Sequence, residues 1–263
     1  MPECFTRTAG QGPRKSLFIH CSLSSGKSLL PLMEHFSDDM TMVAVDLPGQ
    51  GKSPMPDSTR DYQTQCVEAC IALVEQSGGP QDLVGHSFGA TVALRLAALR
   101  PDLVRSLVLF EPVYFGLLRD AEHPAYDRMQ AEEGAFNDAV EQGDMLKAAE
   151  LFLTRWGLPG EWERLPEVAR SAMSERMWVI PAQHQAIIDD SDIRMRLPEL
   201  ENIACPTLVM RGGDSPEVMS AVTEVISNTL PNVALDVLDG SGHMLPITHA
   251  ADCAKQMRGF WGM

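Results

Sequence analysis

The sequence predicts an α/β protein with a mostly parallel central sheet, flanking helices and one helical segment inserted between two strands. Three observations lead to this fold class. Short apolar runs are continuous rather than alternating, which is typical of strands that helices cover on both faces. Segments with apolar residues at helical spacing lie between these runs. The alternation then stops over residues 112–200, where no convincing strand is found.

Six apolar runs are predicted as strands. They cover residues 16–20, 42–46, 82–85, 107–111, 207–211 and 234–238. Helices are predicted near residues 59–77, 88–99, 217–229 and 248–260, because apolar residues recur there every three or four positions. A strand followed by a helix and another strand favours parallel pairing with right-handed crossovers.

The predicted strand that ends at Glu111 is followed by a different kind of sequence. Residues 112–200 carry aromatic and methionine side chains on helix-like backgrounds, which Pro159, Pro166 and Pro181 interrupt. We interpret this stretch as a helical cap. The predicted core then consists of residues 1–111 and 201–263, which is long enough to bury a sizeable interior.

Charge and composition exclude several classes of function. The 263 residues include 36 acidic and 21 basic side chains, which gives a net charge of −15 at pH 7. Such a chain repels nucleic acids and anionic membranes. No apolar run approaches the ~20 residues of a membrane-spanning helix. We therefore expect a small-molecule substrate and neither a nucleic-acid nor a membrane partner; a homodimer stays open.

The six cysteines indicate a reducing compartment. No Cys-x-x-Cys pair is present, and Cys66 and Cys70 stand at helical spacing in a predicted helix. The first residues lack the apolar segment of a secretion signal. We expect reduced thiols in a cytoplasmic protein.

The segment Gly85-His86-Ser87-Phe88-Gly89 carries the strongest chemical signal. It follows a predicted strand and opens a predicted helix. A serine on such a sharp turn needs small neighbours so that the turn can close, and the two glycines supply them. The start of the helix offers the Phe88 N–H and a positive dipole end where an oxyanion would form. Ser87 is therefore the candidate nucleophile.

His243 is the candidate general base for Ser87. A serine hydroxyl needs a neighbour that takes its proton. Gly240 and Gly242 flank His243, directly after the last predicted strand. A glycine turn at that point can bring an imidazole to the carboxyl edge of a parallel sheet, where such sites lie.

Four motifs, in addition to the serine turn, resemble those of the α/β-hydrolase family, of the cap-bearing esterase and C–C hydrolase type. Besides the serine turn, residues 17–22 resemble the strand and His-Gly turn of that family, and residues 46–53 resemble its Asp-x-Pro-Gly-x-Gly-x-Ser loop. Residues 206–212 resemble the late core strand, and residues 240–243 resemble the loop of the family's histidine. The resemblance covers essentially the whole sequence and implies an α/β-hydrolase fold with serine chemistry.

The resemblance also implies an acid that orients the histidine, and it leaves the choice open. The common family pattern, Gly-x-x-Asp, counted from Gly212, falls on Ser215, so Asp214 is one residue early. Glu111 closes an apolar strand, which resembles members such as haloalkane dehalogenases. Asp239 is a third and weaker candidate. Glu111 and Asp214 both stay candidates for holding the imidazole in the right tautomer.

Further site residues follow from the same motifs. By resemblance, the Ser22 N–H joins that of Phe88 in the oxyanion hole, although Cys21 stands where the family usually has glycine. We predict that a largely apolar substrate pocket lies between the sheet edge and the cap. The candidate substrate-binding residues are His20, His86, Phe115, Trp156 and Trp178, with His184 as a further cap residue. No metal or cofactor is expected.

Three functions are open at this stage. The first is a serine hydrolase that acts on a small ester or related acyl compound through Ser87, His243 and an acid. The second uses the same pair for C–C bond hydrolysis or for cofactor-free lyase or perhydrolase chemistry. Haloalkane and epoxide hydrolysis are disfavoured, since those members carry Asp in the place of Ser87. The third is a ligand-binding sensor with little turnover.

Overall fold

A computed structural model describes residues 3–189, 191 and 194–263, and it contains a seven-stranded sheet. The strands are β1 (Thr6–Ala9), β2 (Arg14–Ile19), β3 (Met40–Val45), β4 (Gln81–His86), β5 (Val104–Phe110), β6 (Thr207–Gly212) and β7 (Val233–Leu238). Their order across the sheet is β1-β3-β2-β4-β5-β6-β7. All neighbours pair in parallel except β1, which is antiparallel to β3.

The predicted fold class is confirmed, and β1 is the strand that the sequence prediction missed. Its four residues, Thr6–Ala9, are only half-buried and mostly polar. An edge strand of this kind lacks the continuous apolar run that marks the buried strands. The other six strands lie within three residues of their predicted bounds.

Helices surround the sheet and make up the inserted segment. They are α1 (Leu30–Glu34), α2 (Tyr62–Gln76), α3 (Phe88–Leu99), α4 (Gly116–Asp120), α5 (Ala125–Glu132), α6 (Gly134–Glu141), α7 (Met145–Trp156), α8 (Glu161–Arg164), α9 (Glu167–Ser174), α10 (His184–Ile187), α11 (Leu197–Glu201), α12 (Glu217–Thr229), α13 (Leu245–Thr248) and α14 (Ala250–Trp261). Short 3-10 turns lie at Gly26–Leu29, Pro101–Leu103, Met177–Val179 and Pro181–Gln183.

The buried strands contribute apolar side chains to both faces of the sheet. Leu17, Leu83 and Leu107 belong to one apolar cluster, which includes the residues of α3 and the inserted segment. Phe18 and Val84 belong to a second cluster on the other face, together with side chains of α1 and α14. Two-sided burial explains why these strands read as continuous apolar runs.

Between Phe110 and Thr207 the described residues form helices and 3-10 turns joined by short loops, and they contain no strand. Its side chains pack into the same apolar cluster as one face of the sheet, among them Phe115, Met129 and Trp156. No helix in the described ranges combines the length and the apolar character that crossing a bilayer requires. All six cysteines are described, and each is a free thiol.

The register of the parallel strands brings three chain segments to one edge of the sheet. His86 of β4 pairs with Phe110 of β5, so both strands end side by side. The next residues continue this pairing: the Ser87 N–H donates to the Phe110 carbonyl at 2.8 Å, and the Glu111 N–H donates to the Met210 carbonyl at 2.9 Å. Ser87 and Glu111 therefore lie at the carboxyl edge, where open α/β sheets bind ligands.

Candidate active site

Ser87 occupies the sharp turn between β4 and α3. Its backbone has φ 57° and ψ −118°, a conformation that costs energy for a residue with a side chain. The side chain is 6% exposed. Such strain persists only where the surrounding structure enforces it, and here a buried strand and a buried helix hold both ends of the turn.

The two glycines of the motif are required by close contacts of the backbone. A Cβ on Gly85 would lie 2.5 Å from the Ala90 Cα, and a Cβ on Gly89 would lie 2.2 Å from the Ile19 carbonyl oxygen. Real Cβ atoms do not approach backbone atoms so closely. The glycines therefore allow α3 to pack closely against β4 at Gly85 and against the end of β2 at Gly89.

The ring of His243 bridges Ser87 and Glu111. Its Nε2 lies 3.0 Å from the Ser87 Oγ, and its Nδ1 lies 2.6 Å from the Glu111 Oε2. All three side chains are less than a tenth exposed. An ionised carboxylate only accepts, so Nδ1 carries the proton and Nε2 offers a lone pair to the serine hydroxyl.

Glu111 is held in place by groups on the β6 side of the sheet. Its Oε1 accepts a hydrogen bond from the Gly212 N–H at 2.7 Å and a short one from the Ser215 hydroxyl. The Glu111 side chain is fully buried, and its backbone has a positive φ of 48°. Both carboxylate oxygens are thus engaged, one by the donors after β6 and one by His243.

The other two candidate acids lie elsewhere. Asp214 is exposed, and its N–H donates to the Ser241 carbonyl at 2.8 Å. Asp239 is exposed as well. The position that the family pattern assigns to the acid is Ser215, which here donates to Glu111. Of the three carboxylates, the structure brings Glu111 to the imidazole.

The two predicted oxyanion donors belong to segments that meet at Ser87. Phe88 is the first residue of α3, so its N–H has no acceptor within the helix. Ser22 lies in the loop after β2 and faces the same cavity as Ser87. Cys21, in the place of the family glycine, is not among the described non-glycine residues with positive φ, so its side chain is tolerated. Burial raises the pKa of the Cys21 thiol to about 11, which keeps it protonated.

His20 does not line the cavity, which corrects the expectation that it contacts the substrate. It is fully buried, its Nδ1 donates to the Cys21 carbonyl at 2.6 Å, and its Nε2 accepts from the Leu47 N–H at 3.0 Å. Burial lowers the pKa of the imidazole to about 4. A neutral ring with both nitrogens occupied joins the loop after β2 to the loop after β3.

His86 is likewise directed into the protein and not toward a bound molecule. Its Nε2 donates to the backbone carbonyl of His243 at 2.8 Å. Burial and the nearby His243 ring lower the pKa of His86 to about 3, so the ring is neutral. His86 therefore positions the loop that carries His243, and the expectation of a substrate contact is corrected.

The hydrogen bonds of Asp46 account for the structural role of the motif at residues 46–53. Its carboxylate is buried and accepts hydrogen bonds from the Gly26 N–H at 2.8 Å, from the Lys52 N–H at 2.9 Å and from Arg7. Burial raises the pKa of Asp46, but the hydrogen bonds outweigh it and the net pKa is lowered. Asp46 thus fixes the loop next to the site as a charged anchor.

Two cavities meet at Ser87 and His243. The larger has a volume of about 370 Å³ and lies between the loop after β2, α7 and α9. The smaller has a volume of about 50 Å³ and lies under the segment from Ile180 to Ile188. Residues lining both cavities are Ser22, Ser87, Phe152, Trp156 and His243.

Two of the predicted aromatic residues line these cavities, and one does not. The Trp156 ring lies 4.9 Å from the His243 ring and stacks on Phe115, which faces the smaller cavity. Trp178 instead packs edge-on against Tyr62 at 5.7 Å, in a separate groove. Trp178 is not among the residues that line the two cavities at Ser87, and it covers the loop at Gly49 instead.

The smaller cavity contains polar residues that the sequence analysis did not select. Gln183, His184 and Glu133 line it, and only His184 was considered. No motif marks Gln183 or Glu133, and only the folding of the cap brings them to Ser87. Within the described ranges, no cluster of three or more His, Cys, Asp or Glu side chains is arranged to hold a metal ion.

Comparisons with known proteins match the chain to one family. Residues 17–256 match the model of the Alpha/beta hydrolase family. The chain is 28% identical to a 2-(acetamidomethylene)succinate hydrolase of Mesorhizobium japonicum, over 90% of this chain and 84% of that protein. It is also 28% identical to a pimeloyl-[acyl-carrier protein] methyl ester esterase of Methylococcus capsulatus, over 97% of both.

Solved structures show the same fold at low identity. An alpha/beta hydrolase from a Medee basin deep-sea metagenome superposes with a TM-score of 0.78 at 20% identity, over 99% of this chain and 94% of that one. An esterase from Exiguobacterium antarcticum superposes with a TM-score of 0.76 at 16% identity, over 100% of both chains.

Proposed function

This chain belongs to the alpha/beta hydrolase family, and we propose that it is a serine hydrolase that cleaves a small, largely apolar carboxylic ester. The observation that carries this proposal is the hydrogen-bonded series from the Ser87 Oγ through His243 to the Glu111 carboxylate, at 3.0 Å and 2.6 Å. Each member has the partner that a nucleophile, a general base and an orienting acid require.

In the first half of the reaction, Ser87 becomes acylated. The Ser87 Oγ attacks the ester carbonyl carbon while its proton moves to the His243 Nε2. Glu111 stabilises the resulting imidazolium through Nδ1–H. The N–H groups of Phe88 and Ser22 stabilise the oxyanion, and one such donor contributes a factor of about 10²–10³ in rate. His243 then gives its proton to the departing alkoxide, which leaves as an alcohol.

In the second half, water clears the acyl group. His243 takes a proton from water, whose oxygen attacks the carbonyl carbon of acyl-Ser87. The tetrahedral intermediate collapses, the bond to the Ser87 Oγ breaks, and His243 returns the proton to that oxygen. The products are a carboxylic acid and the original enzyme, so no cofactor is consumed.

The cavity walls support a largely apolar substrate. Side chains facing the larger cavity include Phe152, Leu153, Trp156, Met173 and Ile247. Apolar walls with a few polar groups are typical of sites for small organic molecules. The net charge of −15 also disfavours the approach and binding of strongly anionic substrates.

A second candidate uses the same pair on a carboxylate-bearing acyl compound, including cleavage of a C–C bond. Arg176 favours it, because this residue lines the larger cavity and its Nε donates to the Ala172 carbonyl. Arg176 is exposed, and among the described residues it forms no ion pair with a carboxylate. A guanidinium at that position could accept a substrate carboxylate such as those in the succinate compounds named for the Mesorhizobium relative.

The test combines covalent labelling with a substrate panel. We expect a fluorophosphonate probe to modify Ser87, as located by peptide mass spectrometry. We expect p-nitrophenyl esters to be hydrolysed faster than β-diketones or lactones. The Ser87→Ala variant should lose about 10⁴–10⁶-fold in turnover, while Ser58→Ala, at an exposed site, serves as the control. Unchanged ester hydrolysis in Ser87→Ala contradicts the proposal.

Other outcomes of the same panel assign the alternatives. Cleavage of β-diketones in preference to esters supports the C–C bond hydrolase. Ligand binding without labelling and without turnover of any compound supports a sensor.

We also propose a reducing location such as the cytoplasm. All six cysteines are free thiols, and Cys66 and Cys70 are buried one helical turn apart in α2. Denaturing thiol alkylation of protein taken directly from cells should modify six positions per chain. Fewer modified thiols before reduction would argue for an oxidising compartment.

A further inference from the structure

Gln183 lines the smaller cavity and carries a hydrogen-bond donor that no described residue uses. It ends the 3-10 turn Pro181–Gln183 of the cap and is 2% exposed. Its Oε1 accepts a hydrogen bond from the Ser22 hydroxyl at 2.9 Å. Its Nε2 is buried and has no hydrogen-bond partner within the described chain. Buried amide nitrogens are almost always paired, so this one calls for an acceptor from outside the protein.

The free atom determines which kind of group it binds. A side-chain amide nitrogen carries two N–H donors and accepts nothing. The Ser22 hydroxyl already donates to Oε1, so the Gln183 amide has its two N–H donors free and only part of the acceptor capacity of Oε1. The matching substrate atom is therefore an oxygen with a lone pair, such as a ketone, ether or ester oxygen.

Charge in the same cavity favours a neutral oxygen over a carboxylate. The Glu133 carboxylate lines the cavity, with its Oε1 3.2 Å from the Arg155 Nε. The same Arg155 also pairs with Glu132, at 2.8 Å. One guanidinium is thus shared between two carboxylates, of which Glu133 lines the cavity and Glu132 is exposed outside it. An anionic group in this space would be repelled, whereas a neutral acceptor is not.

The volumes decide which part of an ester reaches Gln183. A volume of about 50 Å³ admits a short chain of a few heavy atoms, since one water needs about 10–15 Å³ by the same measure. The larger cavity, of about 370 Å³, accommodates a bulky group such as an aromatic alcohol. An ester of a bulky alcohol therefore places its acyl chain in the smaller cavity when its carbonyl is at Ser87.

We propose that Gln183 is a specificity-determining residue whose Nε2 donates a hydrogen bond to a neutral oxygen within a short acyl group held in the smaller cavity. This inference rests on the proposed ester hydrolysis. It assigns to the enzyme short oxygen-bearing acyl esters, such as alkoxyacyl or oxoacyl esters, in preference to alkanoyl esters of equal length. Apolar walls of the smaller cavity, among them Val113, Phe115, Ile180 and Ile187, enclose the carbon atoms of the chain.

The experiment compares matched ester pairs in matched variants. One pair is p-nitrophenyl methoxyacetate and p-nitrophenyl butanoate, and the other is p-nitrophenyl 4-oxopentanoate and p-nitrophenyl pentanoate. Each pair differs by one acceptor oxygen, at two distances from the carbonyl. Gln183→Glu keeps the shape and the bond from Ser22 but removes both donors. Gln183→Leu removes all hydrogen bonding.

The measured quantity is kcat/KM for the oxygen-bearing ester divided by kcat/KM for its alkanoyl partner. This ratio is then divided by the ratio of the rate constants for hydrolysis of the same two esters by hydroxide, which corrects for their intrinsic reactivity. This ratio should fall about three- to tenfold in both variants for at least one pair, the loss expected for one hydrogen bond. The change should appear mainly in KM for the oxygen-bearing ester. A role limited to tying the cap to Ser22 would lower kcat/KM for both esters equally, and unchanged ratios in both pairs overturn the inference.

A binding arm keeps this outcome separate from that of the proposed function. In Ser87→Ala, methyl methoxyacetate should bind more tightly than methyl butanoate by ligand-observed NMR, and the difference should vanish in Ser87→Ala/Gln183→Leu. If the wild-type protein hydrolyses no ester, the proposed function fails and this arm alone decides the role of Gln183. Equal affinities of the two ligands for Ser87→Ala would then overturn it. Circular dichroism verifies that each variant is folded.

Discussion

The Nδ1 of His243 lies 2.6 Å from the Oε2 of Glu111, which joins the loop after β7 to the end of β5 across 132 residues of sequence. Parallel pairing makes this contact possible, because β5, β6 and β7 are successive neighbours and all end at the same edge. The contact selects one tautomer of the imidazole and leaves Nε2 free to accept the Ser87 proton.

Glu111→Gln should be far more harmful than Asp214→Asn. An amide at position 111 can present an N–H to Nδ1, which favours the wrong tautomer, so we expect kcat to fall about 10³–10⁴-fold. Asp214 is exposed, and kcat of Asp214→Asn should stay within about threefold of the wild-type value. Steady-state hydrolysis of a p-nitrophenyl ester measures both. The reverse order of effects would assign the acid to Asp214.

Ser215→Asp should have opposite effects in two backgrounds. Ser215 donates to the Glu111 Oε1, so an aspartate there places a second carboxylate against the first and should reduce activity in the wild-type protein. The second background is Glu111→Asn, because asparagine tolerates the positive φ of position 111. In that background the carboxylate that Ser215→Asp introduces can replace Glu111 as the hydrogen-bond partner of His243. We expect at least about tenfold recovery of kcat over Glu111→Asn alone. No recovery would mean that position 215 cannot reach the imidazole.

Gly89→Ala should destabilise the protein strongly. Its Cβ would lie 2.2 Å from the Ile19 carbonyl and 2.5 Å from the His20 carbonyl, and neither backbone atom can move without disturbing β2. We expect a loss of about 3 kcal/mol in the free energy of unfolding, measured by urea titration. Gly259→Ala is the control, because it lies within α14 and its Cβ meets nothing within 4 Å. That substitution should stabilise by about 0.5–1 kcal/mol.

Stability should fall as the pH drops from about 6.5 toward 4. Burial lowers the pKa of His20 to about 4 and that of His86 to about 3. Below about pH 6.5 the unfolded chain protonates both rings while the folded protein does not, so acid favours unfolding. Between pH 7.5 and 5.0 each histidine should cost about 2 kcal/mol.

Urea titrations at several pH values measure this loss. His86→Asn should lower the pH dependence by about half of the histidine contribution, whereas the surface variant His35→Gln serves as the control. A free energy of unfolding that is constant between pH 7.5 and 5.0 would contradict the prediction, because it would mean that the folded protein takes up as many protons as the unfolded chain.

The elements of the sheet could be predicted because their signals are local. Two-sided burial produces continuous apolar runs in β2 to β6, whereas the half-exposed edge strand β1 has no such run. The other edge strand, β7, is also partly exposed, but its sequence is still mostly apolar. The serine turn is also local, since a strand, two glycines and a helix determine where Ser87 stands. The glycine-flanked histidine follows the last strand in the same way.

Residues whose position depends on distant partners could not be predicted from patterns. His20 and His86 belong to the right motifs, but only the folded structure shows that both rings are buried, with both His20 nitrogens and the His86 Nε2 bonded to backbone groups. Trp178 and Trp156 have similar sequence surroundings, yet the folding of the cap places one at a separate groove and the other beside His243.

The sequence by itself determined the α/β fold class, the turn that bears Ser87 and the approximate place of His243, because each depends on neighbours along the chain. Only the tertiary structure decided that Glu111 and not Asp214 reaches the imidazole, and that Gln183 lies at the smaller cavity. Those outcomes depend on strand register and on how the cap packs over the sheet. The sequence around a carboxylate or an amide does not indicate which distant group its side chain will contact in the folded protein.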